Sequence, residues 1–94
     1  MLNKLDKNKC LTALELAVNG MEDAVKEIAY CRQNPAVIME NFNISRGVYV
    51  ATMDFLNDGY VEVYDEMYAK YNERYYKAWN SYGKFFHKIY CTMK

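Results

Sequence analysis

Chain breakers are scarce in this sequence. Pro35 is the only proline, and four glycines are the only other punctuation in 94 residues. Net charge is absent as well, with 12 Lys and Arg against 12 Asp and Glu. That balance argues against wholesale coating of nucleic acid and against a strongly acidic mimic of DNA. The cysteines are three, Cys10, Cys31 and Cys91, with no Cys-x-x-Cys spacing. An odd number without spacing is no disulfide framework, and a reducing cytoplasm is the expected setting. No charged-then-apolar leader opens the sequence, and no apolar run approaches the ~20 residues that span a bilayer. No membrane is therefore expected among its partners. A glycine-rich phosphate loop, a nucleophile elbow and a His-Glu-x-x-His motif are all missing. The one histidine, His87, would need an orienting carboxylate and a nearby nucleophile to take part in catalysis. An enzyme is not expected, and neither is a cofactor.

What is present is helical periodicity and aromatic mass. Ten of the residues are tyrosine. Phe, Tyr, Met, Ile, Asn and Lys together far outnumber Gly, Ala, Arg and Pro, the usage of an AT-rich genome. Charge is balanced overall but unevenly placed. Residues 70–94 carry Lys70, Arg74, Lys77, Lys84, Lys88 and Lys94 against Glu73 alone, while acids dominate before them. Such asymmetry hints at electrostatic partners.

The pattern predicts an all-α fold: one small domain over residues 1–94, of about four helices, ending in a long tyrosine-rich amphipathic helix. The first helix is expected over about 10–32. There Leu11, Leu14, Val18, Met21, Val25 and Ile28 recur at heptad steps, with the small residues Cys10, Ala17, Ala24 and Cys31 beside them. Asn19-Gly20 could be a turn that splits this element in two, but the seam continues in phase across the pair, so one helix with a weak point is the preferred reading. Asn34 is a favoured N-cap and Pro35 a favoured first residue. They open a short helix over 35–42, which Asn43 ends. Ser45 caps a third helix over 46–56, with Val48, Tyr49, Thr52, Phe55 and Leu56 inward. Gly59 is placed to be the left-handed residue past its end. The last helix, 60–92, carries Tyr64, Met67, Tyr68, Tyr71, Tyr75, Ala78, Trp79, Tyr82, Phe85, Phe86, Ile89 and Met93 on one stripe. Its acids (Glu62, Asp65, Glu66) come first and Lys84 and Lys88 last, which suits the helix dipole. Such a helix is about 50 Å long. A compact globule of this size is about 30 Å across. The helix must bend at Gly83 or pack its overhang on another chain.

Residues 35–56, with the tight joint at Asn43-Ile44 and the helix opening Ser45-Arg46-Gly47, resemble the helix-turn-helix of transcription regulators. The run Asp58 to Val63 is similar to the lead into a winged-helix wing. The resemblance covers about a quarter of the chain and implies a nucleic-acid-binding regulator working through Arg46 and Tyr49. The turn departs from the pattern in carrying Asn43 where glycine is usual, and the surrounding region is acidic. His87 and Cys91, four apart, could present two metal ligands, yet zinc needs three or four, so no metal is expected.

The leading expectation is a non-enzymatic interaction module. Its partner would be another protein or its own copy, met by Tyr68, Tyr71, Tyr75, Trp79, Tyr82 and Phe86 on the last helix. Tyrosine buries a large ring while keeping its hydroxyl wet, which suits interfaces. An antiparallel homodimer would set the acidic start of that helix against its basic end. Small size, AT-rich usage and the lack of chemistry fit a phage-encoded regulator or inhibitor of a host protein.

Overall fold

The computed structural model describes residues 3–30 and 34–92, those at 29, 30, 86 and 88–92 through their backbone alone. The described residues form three helices: α1 Lys4–Tyr30, α2 Pro35–Gly59 and α3 Val61–Thr92. The all-α class holds, with three helices in place of four.

α1 begins six residues earlier than its apolar periodicity indicates. Asn3 supplies the cap: its Oδ1 accepts the Asp6 N–H at 2.8 Å. Its carbonyl accepts the Lys7 N–H at 2.9 Å. The helix runs unbroken through Asn19-Gly20. α2 opens as its sequence requires, with Asn34 Oδ1 accepting the Ala36 N–H at 2.8 Å and Pro35 in the first turn.

The expected joint at Asn43-Ile44-Ser45 is not there; α2 is helical straight through it. The reason is a competition of magnitudes. Asn and Ser cost a helix less than about 0.7 kcal/mol each. Burying a large apolar side chain returns about 1.5–3 kcal/mol. Ile38, Phe42, Tyr49, Met53 and Leu56 are all buried and stay in phase across the joint, so continuity wins. Two residues assigned to the inner face, Val48 and Phe55, are exposed instead.

Gly59 is not a left-handed residue past the end but the last residue of α2. Tyr60 makes the reversal alone, with φ −140° and ψ 58°. Its N–H donates to the Leu56 carbonyl at 2.7 Å, and its own carbonyl accepts from Tyr64 at 2.9 Å. α3 then passes Gly83 without interruption.

The helices run up, down and up as a rod of 51 × 19 × 17 Å. The long last helix therefore does not overhang a 30 Å globule. Because α1 and α2 are each longer than expected, the domain itself extends to match α3. The core is built from Leu14, Val18 and Met21 of α1, the five buried residues of α2, and Met67, Tyr71, Tyr75, Ala78 and Tyr82 of α3.

Candidate interaction surfaces

Three seams join three helices, and each is closed by a different chemistry. Between α1 and α2 the closing residues are small. Ala17 and Ala24 are buried. A Cβ at Gly20 would collide with the Ser45 hydroxyl and stand 3.1 Å from the Ser45 Cβ. The predicted weak point of α1 is thus a place of close approach by α2, and Ser45 is a packing residue rather than a cap.

Between α1 and α3 the closing group is Arg74. Its Nη2 donates to Glu22 Oε1 at 2.7 Å and Asn19 Oδ1 at 2.8 Å, its Nε to Glu22 Oε2 at 3.2 Å. Glu15 lies 3.5 Å away. Hydrogen bonding by Arg74 holds the Glu22 carboxyl below its ordinary range. Further along, Lys7 meets Glu66 at 2.8 Å. Part of the charge asymmetry in the sequence is consumed here, inside the molecule.

Between α2 and α3 the closing groups are rings. Phe42 stacks on Tyr82 with centroids 3.9 Å apart and planes 3° from parallel. Tyr49 stacks on Tyr75 at 4.2 Å. The Arg46 guanidinium lies 4.3 Å over the Trp79 ring. Rings are wide spacers, and they leave this seam open on the solvent side. A groove of about 630 Å³ runs past Met39, Asn43, Trp79, Asn80 and Gly83. A smaller one of about 190 Å³ lies among Val50, Asp54, Tyr64, Tyr68, Asn72 and Tyr76. Arg46 Nε and Asn72 Oδ1, both buried at this seam, have no hydrogen-bond partner.

The predicted contact residues divide accordingly. Tyr71, Tyr75 and Tyr82 are buried, at 1%, 9% and 8% exposure. They are core residues, because an aromatic stripe on a helix of a three-helix bundle is first used to fill the bundle. Burial also pushes the Tyr71 hydroxyl up to about 12, aided by its hydrogen bond to Glu15. Tyr68 and Trp79 stand exposed at the edge of the seam, and the side chain of Phe86 lies outside the described residues. Tyr76, missed from sequence, joins them at 48% exposure. Its ring meets Tyr75 edge-on at 5.1 Å.

The structure gives both residues of the helix-turn-helix reading contacts within the bundle. Arg46 is stacked on Trp79. Tyr49 is 5% exposed, and burial pushes its hydroxyl up to about 12. Without a turn at 43–45 there is also no separate recognition helix. Among the described residues no group of three His, Cys, Asp or Glu could hold a metal ion. Of the pair weighed as ligands, His87 is exposed, and the Cys91 side chain lies outside the described residues. None of the described helices is long and apolar enough to cross a membrane.

A second surface went unread in the sequence. Val37, Ile44, Val48, Ala51 and Phe55 recur at steps of seven, four, three and four, and all are exposed on α2. The spacing is visible once 35–59 is one helix; the supposed joint at 43–45 divided it. On α1, Leu5 and Leu16 are equally exposed and line a shallow groove with Thr12 and Ala13.

No protein-family model matches the chain, and neither a curated protein nor a solved structure matches it.

Proposed function

We propose that this protein is a non-enzymatic protein–protein interaction module, a small regulator or inhibitor that binds a partner protein along the α2/α3 seam. The observation that supports this reading is the pair of open grooves along that seam. The larger is lined by Trp79 and the smaller by Tyr68 and Tyr76, three exposed aromatic residues. Aromatic anchors beside desolvated grooves are where binding energy concentrates in protein interfaces. The Arg46–Trp79 stack adds a flat, rigid platform that loses little conformational entropy on binding.

The test is affinity capture from a cell lysate with the immobilised full chain, against a Tyr68→Ser/Tyr76→Ser variant. Both positions are exposed, so circular dichroism should show unchanged helicity. A specific protein is expected on the parent chain and at least tenfold less of it on the variant. Retention should survive nuclease and barely respond to salt, whereas phosphate-bound material would be released steeply as salt rises. Equal capture by both chains, or capture that nuclease abolishes, refutes the reading.

A further inference from the structure

We infer that a second copy of this chain docks, antiparallel, on the outer face of the α1/α2 hairpin, leaving the α2/α3 seam open. The face is apolar where a soluble bundle should be polar. Leu16 is 65% exposed, Ile44 60% and Phe55 52%, with Val37 and Val48 on the same stripe of α2. It is also smooth. Gly20 closes directly on Ser45, so no large side chain holds α1 and α2 apart. Gly20 follows Leu16 by one turn and shares a groove with Ile44, Asn41, Asp23 and Glu27. That contact places the α1 and α2 stripes side by side.

Charge says what covers the face. Its α1 stripe carries Lys9 at one end, beside Leu5 and Leu16. At the other end it carries Asp23 and Glu27. Lys9 and Asp23 each lie seven residues from Leu16, about 10 Å along the helix in opposite directions. A twofold axis near Leu16 therefore brings Lys9 of each copy onto the Asp23–Glu27 pair of the other, twice by symmetry. The α2 stripe obeys the same symmetry. Ile44 and Val48 are equidistant from residue 46, and so are Val37 and Phe55, so an antiparallel copy sets each against the other. Parallel docking would instead put Asp23 and Glu27 against their own copies. Size is sufficient too. A rod 51 Å long and 19 Å wide can present the roughly 800 Å² per partner of a standard interface.

Sedimentation equilibrium on the full chain tests this. The parent chain is expected at twice its 11.1 kDa. Leu16→Glu/Ile44→Glu should sediment as a monomer with helicity intact, because both residues are exposed. Lys9→Glu should weaken association at least tenfold, and Lys9→Glu/Asp23→Lys/Glu27→Lys should restore it; this charge exchange decides the matter even if the double glutamate variant misfolds. A monomer at every concentration overturns the inference. So does a dimer indifferent to both sets of variants. Tyr68→Ser/Tyr76→Ser should leave the mass unchanged, so loss of partner capture and loss of self-association are read separately.

Discussion

Gly20→Ala is the substitution in which helix propensity and tertiary packing pull in opposite directions. In a helix interior, alanine is favoured over glycine by about 1 kcal/mol. At Gly20 the new Cβ would collide with the Ser45 hydroxyl and stand 3.1 Å from the Ser45 Cβ. Rotating the hydroxyl away relieves the first contact. The second relaxes only by moving one helix away from the other. That disturbs the tightest seam of the bundle, along which Leu14, Val18 and Met21 are buried. Overpacking of this kind costs about 1–3 kcal/mol. The net expectation is a loss of about 1 kcal/mol, or roughly 4–8 °C in Tm for a chain of this size. Gly47 is the internal control: nothing lies within 4 Å of its would-be Cβ, so Gly47→Ala should gain about 0.5–1 kcal/mol. Urea denaturation of both variants at one fixed protein concentration measures the difference, the concentration mattering because association would add to stability. Ser45→Gly in the Gly20→Ala background should cost less than Ser45→Gly alone, since it vacates the colliding atoms; double-mutant analysis reports that coupling. If Gly20→Ala stabilises the protein as much as Gly47→Ala does, the close approach of α1 and α2 at this point is refuted.

The other predictions concern titration. Arg74→Met should destabilise the protein by about 1 kcal/mol at neutral pH, since its pairs with Glu22 and Glu15 are partly exposed. The folded-state value of Glu22 is depressed by Arg74, so its contribution is fully present above the ordinary glutamate value of about 4.3 and fades as pH falls below it. Urea melts from pH 6 down to pH 3 should show a shallower acid loss in Arg74→Met than in the parent; identical slopes would contradict the clamp. At the alkaline end, Tyr49 and Tyr71 are pushed up to about 12. Their neutral forms are favoured by folding, so that stability is present below the unfolded value of about 10 and is lost as pH rises from there towards 12. Absorbance at 295 nm should lose part of its high-pH component in Tyr49→Phe/Tyr71→Phe; an unchanged titration curve would contradict the burial of these two hydroxyls.

Heptad and helical periodicity made most of the core legible in the sequence. Leu14, Val18 and Met21 on α1 and Met67, Tyr71, Tyr75, Ala78 and Tyr82 on α3 are buried where the apolar spacing places them. The cap at Asn34-Pro35 was equally legible, because its chemistry is local. What local chemistry misjudged was residues 43–45. Asn and Ser there have the signature of an ending and a restart, yet the apolar phase runs on from Ile38 and Phe42 to Tyr49 and Met53. Tertiary burial decided against the local signal. That one misjudgement propagated. It made a turn out of a helix, turned Val48 and Phe55 inward, and hid the outer stripe of α2.

The candidate surfaces were less legible than the core for a reason that lies in seam width. A stripe of rings on α3 shows which side of the helix is apolar, but not which rings are used up within the chain. That depends on how near the neighbouring helices stand. Their approach is set by residues of opposite size on different helices: Gly20 and the alanines of α1, which let α2 close in, and Phe42, Tyr49 and Arg46 of α2, which hold α3 off. The close seam leaves a smooth apolar back, suited to broad contact with a like surface. The wide seam leaves a groove with rigid rings at its rim, suited to a ridge from another molecule. Two surfaces of different shape thus follow from one asymmetry of side-chain size. Variants that change that size, Gly20→Ala on one side and Tyr49→Ala on the other, should disturb them separately.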